Sequence, residues 1–227
     1  MTDTAHPRPR LAAPSHLLTP GHLPADPLAV HTDCIPLESA VDPDGYISNS
    51  PAPPEALPHL PPGGLHDPAL REHFIERLYA QARLRELFAG DWRPGDLVAF
   101  HSRHKLQILA HDPVAYRHMG RIVARAGTQP ATTLEADYRR AFTGALAVQP
   151  ARGRHTNALN HVLGPLSPRL DPSQRRETVA AIDSYHHGKV PLGTPIALLR
   201  HYAEAKKHTY LADQTYLAPY PDALRGG

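Results

Sequence analysis

Within twelve residues, the stretch FHSRHKLQILAH at positions 100 to 111 sets His101, Arg103, His104, Lys105 and His111 into an otherwise apolar run. Histidine near its unperturbed pKa can donate, accept, titrate or bind metal, so such a cluster is suited to lining a polar pocket. On a helix turning about 100° per residue, His101, His104 and His111 share one arc with Leu97 and Ile108. Val98, Ala99, Leu106, Leu109 and Ala110 take the opposite arc, which leaves Arg103 and Gln107 as a narrow exposed stripe. Two readings follow: a chemical site, or core histidines bonded to backbone carbonyls.

A second dense segment, RGRHTNALNH, runs from Arg152 to His161. On a helix it puts His155 on the face of Leu159, Val162 and Leu163, and Arg154, Asn157, Asn160 and His161 on the other. Arg152 and Arg154 fall in the first turn, where free backbone amides already favour an anion, so they fit a phosphate seat or, equally, a surface loop leading into an amphipathic helix. An acid–base enzyme could instead be assembled from His101, His104, Lys105, His155 and His161, with Arg154 holding an anionic substrate. A third segment joins Arg200, His201 and Tyr202 to the tyrosine-rich tail at 210 to 221, either to stack bases or to fill the core.

Other chemistries lack their residues. His101 and His104 are one turn apart and His186 adjoins His187, but no His-Glu-x-x-His motif, cysteine pair or aspartate-rich loop accompanies them. No metal site and no cofactor are therefore expected. Neither a Gly-x-Ser-x-Gly elbow nor a Walker-type phosphate loop occurs. The single cysteine, Cys34, excludes an intrachain disulfide framework and suits a reducing cytosol. With no apolar signal region and no membrane-length apolar run, the expectation is a cytoplasmic protein without a membrane partner.

The elements that must carry these residues are legible from punctuation. Asp67-Pro68, Asp112-Pro113 and Asp171-Pro172 each place an N-cap aspartate before a proline at the first helical position. Apolar spacing and Gly stops predict helices near 68–89, 95–111, 113–126, 133–148, 153–164, 172–187 and 195–207. The expected fold is all-α, a single domain of six to seven helices over residues 65–227. Residues 1–66 hold 14 of the 26 prolines, as in Thr19-Pro20-Gly21-His22, Asp42-Pro43-Asp44-Gly45 and Pro51-Ala52-Pro53-Pro54. Such density predicts an irregular arm, with Pro61-Pro62-Gly63-Gly64 closing it at residue 64. Charge divides the same way: two basic against seven acidic residues before Asp67 give −5, and 22 against 15 from there on give +7.

The segments LVAFHSRHK from Leu97 to Lys105, Ala110-His111 with Tyr116 and Gly120, and Arg154-His155-Thr156-Asn157 through His161 and Gly164 recur in one order. Asp183-Ser184-Tyr185 with Gly188 and Pro191, Leu199-Arg200-His201-Tyr202 and the stretch from Tyr210 to Pro221 follow them. This series resembles the YbgA-like family, a helical domain of unknown function. In that family the domain stands alone or is fused behind a thiouracil-desulfidase domain whose three cysteines hold an iron–sulfur cluster. Residues 65 to 77 look like the connector of such fusions, whereas those cysteines are missing here. The fusion habit implies work beside removal of sulfur from thiolated uridine in transfer RNA.

The resemblance and the basic charge converge on a non-catalytic RNA-binding module. It would serve transfer RNA and act with a separate thiouridine desulfidase or another RNA-modifying enzyme. Its expected contacts are Arg103, Lys105, Arg152, Arg154, Asn157, Arg200 and His201, with Arg103 and Lys105 facing the same opening as Arg154. The acid–base enzyme of unknown reaction is the first alternative, and a protein scaffold acting through the proline-rich arm is the second.

Overall fold

A computed structural model describes residues 6–19, 22–23, 26–50 and 57–225. The chain divides into two compact units, one formed by Met1–Arg93 with Pro219–Gly227 and the other by Pro94–Ala218. The division falls at 93/94, beyond the helix that follows residue 64.

The first unit corrects the all-α expectation. Strands β1 (Arg10–Ala13), β2 (Asp33–Pro36), β3 (Gly45–Ile47) and β4 (His59–Leu60) make a parallel sheet in the order β2-β1-β3-β4. A short helix α1 (Pro27–Val30) lies between β1 and β2, and the long helix α2 (Pro68–Phe88) follows β4. The prolines flank these strands, and their carbonyls still accept: Pro9 O takes the Asp33 amide at 2.7 Å and Pro58 O takes the Tyr46 amide at 2.8 Å. Proline removes a donor, not an acceptor, so strands of two to four residues survive where longer ones would break. Strands that short display no readable alternation. The Pro51–Pro54 cluster expected to extend the arm lies outside the described residues.

Leu11, Ala13, Ile47 and Leu60 from the sheet pack with Phe74, Ile75, Leu78 and Tyr79 of α2 and with Tyr220 and Leu224. Gly45 permits this approach, because a Cβ there would stand 2.8 Å from the Leu78 Cδ1 and 3.0 Å from the Pro58 carbonyl. Beside it, the Asp44 side chain is only 1% exposed and takes Arg85 Nε at 3.0 Å and the Arg10 amide at 2.8 Å. Burial pushes the Asp44 carboxyl up from its ordinary value, while Arg85 and the Arg10 amide pull it the other way.

The second unit is helical throughout: α3 (Pro94–His111), α4 (Pro113–Val123), α5 (Ala131–Ala147), α6 (Arg152–Leu166), α7 (Pro172–His186), α8 (Gly193–Ala205) and α9 (Thr209–Ala212). The aspartate caps form as expected. Asp67, Asp112 and Asp171 each accept two first-turn amides, and Gln174 completes a capping box with Asp171. Gly188, at φ +75°, ends α7 with the Lys189 amide returning to the Ser184 carbonyl at 2.8 Å. Leu106, Leu109 and Ala110 of α3 form the core with Leu159, Val162 and Leu163 of α6, Tyr185 of α7, Leu199 of α8 and Tyr216. Phe100, Tyr138 and Phe142 form an aromatic contact between α3 and α5. No helix among the described residues is long and apolar enough to cross a membrane.

Removing one partner of a buried pair strands the other charge. Arg85→Ala should therefore cost about 3–5 kcal/mol in urea denaturation. Arg140→Ala, which breaks an ion pair whose arginine is 78% exposed, should cost less than about 1 kcal/mol. Equal losses would mean that Asp44 is not desolvated.

Candidate functional site

A single residue, Asp112, separates α3 from α4, so the two helices meet at a tight corner. Between them lies a groove of about 290 Å³. Val98, His101, Ser102 and Lys105 face it from α3, at the i, i+3, i+4, i+7 spacing of one helical face. Tyr116, Arg117, Gly120 and Val123 line it from α4. Lys105 and Arg117 are its charged walls, and no carboxylate lines it. Among the described residues, Arg103, Lys105, Arg117 and Arg121 have no ion-pair partner.

The exposed stripe of α3 differs from the expected one. Gln107 is fully buried, with Oε1 accepting from Thr215 Oγ1 at 3.3 Å, while Val98 is 47% exposed and Arg103 is exposed. The segment from α9 to Ala218 folds back onto α3: the Thr215 amide donates to the Arg103 carbonyl, and Gln214 Nε2 donates to the Ser102 carbonyl. That contact spans more than 100 residues of sequence and could not be read from periodicity.

The histidines take different parts. His104, 1% exposed, donates from Nδ1 to the Phe100 carbonyl at 2.8 Å and stacks on the Phe100 ring. Fully buried His111 likewise donates to the Val148 carbonyl. The His155 Nδ1 lies 3.0 Å from the Tyr216 hydroxyl, and the two rings stack. His161 and His201 are exposed on α6 and α8. His101 alone of the buried histidines lines the groove, with Nδ1 3.2 Å from the Tyr138 hydroxyl. Burial first, and the Lys105 charge second, push its pKa down to about 4. Of the five residues of the acid–base constellation, the groove therefore gathers only His101 and Lys105.

The paired arginines of α6 act as struts. Arg152 donates to the Tyr185 carbonyl at 2.7 Å and lies over the Tyr185 ring, and Arg154 donates to the His111 carbonyl. Each ties the N-terminus of α6 to the end of another helix. Of Arg103, Lys105 and Arg154, expected to face one opening, Lys105 lines the groove and the other two are not among its lining residues. Asn157 is exposed on α6, and Arg200 is half-buried on α8. In the tyrosine-rich tail, Tyr216 and Tyr220 are 2% exposed, as is fitting for core residues, and Tyr210 is 40% exposed.

Sequence reading missed Arg117 and Arg121. Their signal was present: Arg117 and Arg121 on α4 and Arg125 just past its end recur every four residues and stand exposed. On the other side of α4 a second groove of about 310 Å³ contains His118, Arg125 and Arg140, but Asp137 compensates it by pairing with both arginines. The segment 94–218 holds 16 basic and nine acidic residues, so its +7 is the whole excess counted from Asp67 onward. Among the described residues, no group of three or more His, Cys, Asp or Glu is arranged to hold a metal ion.

A family model described as "Protein of unknown function (DUF1722)" matches residues 105–221. The "Uncharacterized protein YbgA" of Escherichia coli (strain K12) is 35% identical over 150 residues, covering 65% of this chain and 88% of that protein. No solved structure matches the chain.

The depressed pKa of His101 has a consequence for stability. An unfolded histidine binds a proton near 6.5, and this one does so in the fold only near 4. The contribution from its neutral burial is complete above pH 6.5 and shrinks as pH falls toward 4, by about 3 kcal/mol. In urea denaturation at a series of pH values, His101→Gln should flatten that part of the profile. A variant with the wild-type slope would place the titration elsewhere.

Proposed function

The chain belongs to the DUF1722 family of proteins of unknown function, and from that premise we propose that it is a non-catalytic RNA-binding module for structured RNA such as transfer RNA. The observation that carries this reading is the set of cations on α3 and α4 without carboxylate partners, within a unit of formal charge +7. A surface that leaves arginines unpaired keeps their hydrogen-bond donors available to phosphate, whose planar recognition suits guanidinium. The resemblance to domains fused with thiouridine desulfidases supplies the class of RNA and the associated enzyme. A separate desulfidase or other RNA-modifying enzyme would act on the RNA held here.

The contact surface is centred on Lys105, Arg117 and Arg121, flanked by Arg103. Arg152 and Arg154 contribute less, because each already spends a guanidinium donor on a backbone carbonyl. The acid–base alternative is weakened by the same geometry. At a pKa of about 4, His101 is a poor base near neutral pH, and His104 and His155 have partners of their own.

Phosphate-dominated binding obeys a salt law that tests this directly. For the intact chain and transfer RNA, log K should fall linearly with log salt between about 50 and 200 mM, by roughly 0.9 per phosphate contact. Arg117→Ala with Arg121→Ala should weaken binding and reduce that slope by about two. Arg140→Ala, at an arginine already paired to Asp137, should change neither by much. Absence of binding at low salt, or a slope indifferent to the double substitution, sinks the proposal.

A further inference from the structure

The α3/α4 groove has more than a phosphate-binding surface requires. Backbone phosphates need only donors and positive charge, which exposed Arg103 and Arg121 provide outside the groove. Inside it, Lys105 and Arg117 stand beside two apolar side chains, Val98 and Val123, and beside the uncharged polar groups of His101 and Ser102. A concave site with apolar walls, a few converging polar groups and a local excess of one charge is the form of a small-ligand pocket. At about 290 Å³ it is at the small end of the range, near 300 Å³, and admits no duplex.

We propose that this groove seats one unpaired nucleotide, with its phosphate between Lys105 and Arg117 and its base against Val98 and Val123, where His101 and Ser102 meet the base edge. The inference rests on the RNA-binding reading and names the ligand unit that the same surface selects. Sequence-specific recognition of RNA works on splayed, unpaired bases, since the major groove of A-form RNA is too narrow for side chains to read. His101 suits the role. Its Nδ1 is pinned to the Tyr138 hydroxyl, and among the described residues Nε2 has no protein partner. With its pKa pushed down to about 4, the ring is neutral and offers a directional hydrogen bond to a base edge, not a third cation for phosphate.

Gly120 gives the groove a point of test, since unlike the exposed helical glycines Gly144, Gly153 and Gly164 it lines the groove. It is exposed inside α4 with no positive φ, and a Cβ built there meets nothing within 4 Å, so neither backbone conformation nor packing calls for glycine. Glycine is the poorest helix former after proline. A longer side chain at this position would stand in the groove.

The test uses the intact chain, a blunt RNA duplex, the same duplex with a short single-stranded 3′ overhang, adenosine 5′-monophosphate and inorganic phosphate. Wild-type protein should bind the overhang duplex about tenfold tighter than the blunt one, the scale of stacking one base on a protein surface. Adenosine monophosphate should erase that advantage, and inorganic phosphate should do so far less. Gly120→Leu, checked for an unchanged thermal midpoint, should bring the affinity for the overhang duplex down to that for the blunt one. Arg117→Gln should lose it too, and Arg121→Gln should weaken both duplexes equally.

If the overhang confers no advantage, or Gly120→Leu keeps it, the groove assignment is overturned and RNA binding stands. Competition by inorganic phosphate as strong as by the nucleotide overturns it as well, leaving a bare anion seat. If RNA fails to bind but the mononucleotide binds wild type and not Gly120→Leu, the groove takes free nucleotides and the RNA reading falls. Failure of every ligand overturns both.

Discussion

Each polar side chain buried on α3 makes at least one hydrogen bond, and three of the four, His101, Gln107 and His111, reach outside the helix for it, while His104 uses the Phe100 carbonyl of its own helix. A buried donor or acceptor left unsatisfied costs about 1–3 kcal/mol, so a helix with several histidines can be buried only if other chain segments come to meet them. Val148, at the end of α5, offers its carbonyl to His111, and Tyr138 of α5 offers its hydroxyl to His101. Traffic runs the other way as well. The His111, Ser102 and Arg103 carbonyls accept from Arg154, Gln214 and Thr215, which fastens α6 and the segment after α9 to the same helix. The polar residues that made this stretch look like a chemical site are mostly the fasteners of the fold. What remains uncommitted is the side turned toward α4.

Charge follows a similar division of labour. In the unit of residues 1–93 and 219–227, arginines are drawn into specific contacts: Arg8 with Asp33, Arg71 with Asp26 and Arg85 with Asp44. In the helical unit the carboxylates go to other tasks. Asp112 and Asp171 cap helices, Glu177 accepts from the Tyr202 hydroxyl, and Asp137 holds Arg125 and Arg140. Among the described residues, Lys105, Arg117 and Arg121 are among the cations this allocation leaves without an ion pair, as are Arg176, Lys189, Lys206 and Lys207 on other elements. Total charge alone could not have located them, because it does not say which arginines Asp137 pairs with.

Local signals in the sequence were legible where they act locally. The three aspartate caps and the glycine stop at Gly188 require only near neighbours, and the helices they bound form within a few residues of the expected limits. The sheet was illegible because its strands are too short to alternate, and because proline was read as a breaker when its carbonyl was serving the ladder. His104 and His111 could be read as buried, but not as satisfied, since the Val148 carbonyl lies 37 residues from His111. The structural contact of Arg154 was illegible for the same reason: nothing local announces that it reaches the end of α3. Arg117 and Arg121 were readable as a row and were outweighed by the denser histidine segment.

Lys105 links the fold to the groove. Its charge acts on His101 in the direction that keeps the ring neutral, but burial is the larger cause. An anion settling between Lys105 and Arg117 would offset the Lys105 charge and so relieve the smaller influence only. Burial, undiminished or increased by a ligand covering the groove, would continue to hold His101 uncharged. The site can thus bind negative charge without charging the histidine beside it. A catalytic histidine needs the opposite property, a proton affinity poised near the working pH and responsive to the bound substrate. By this physical criterion the groove suits the recognition role proposed for it better than acid–base catalysis by His101.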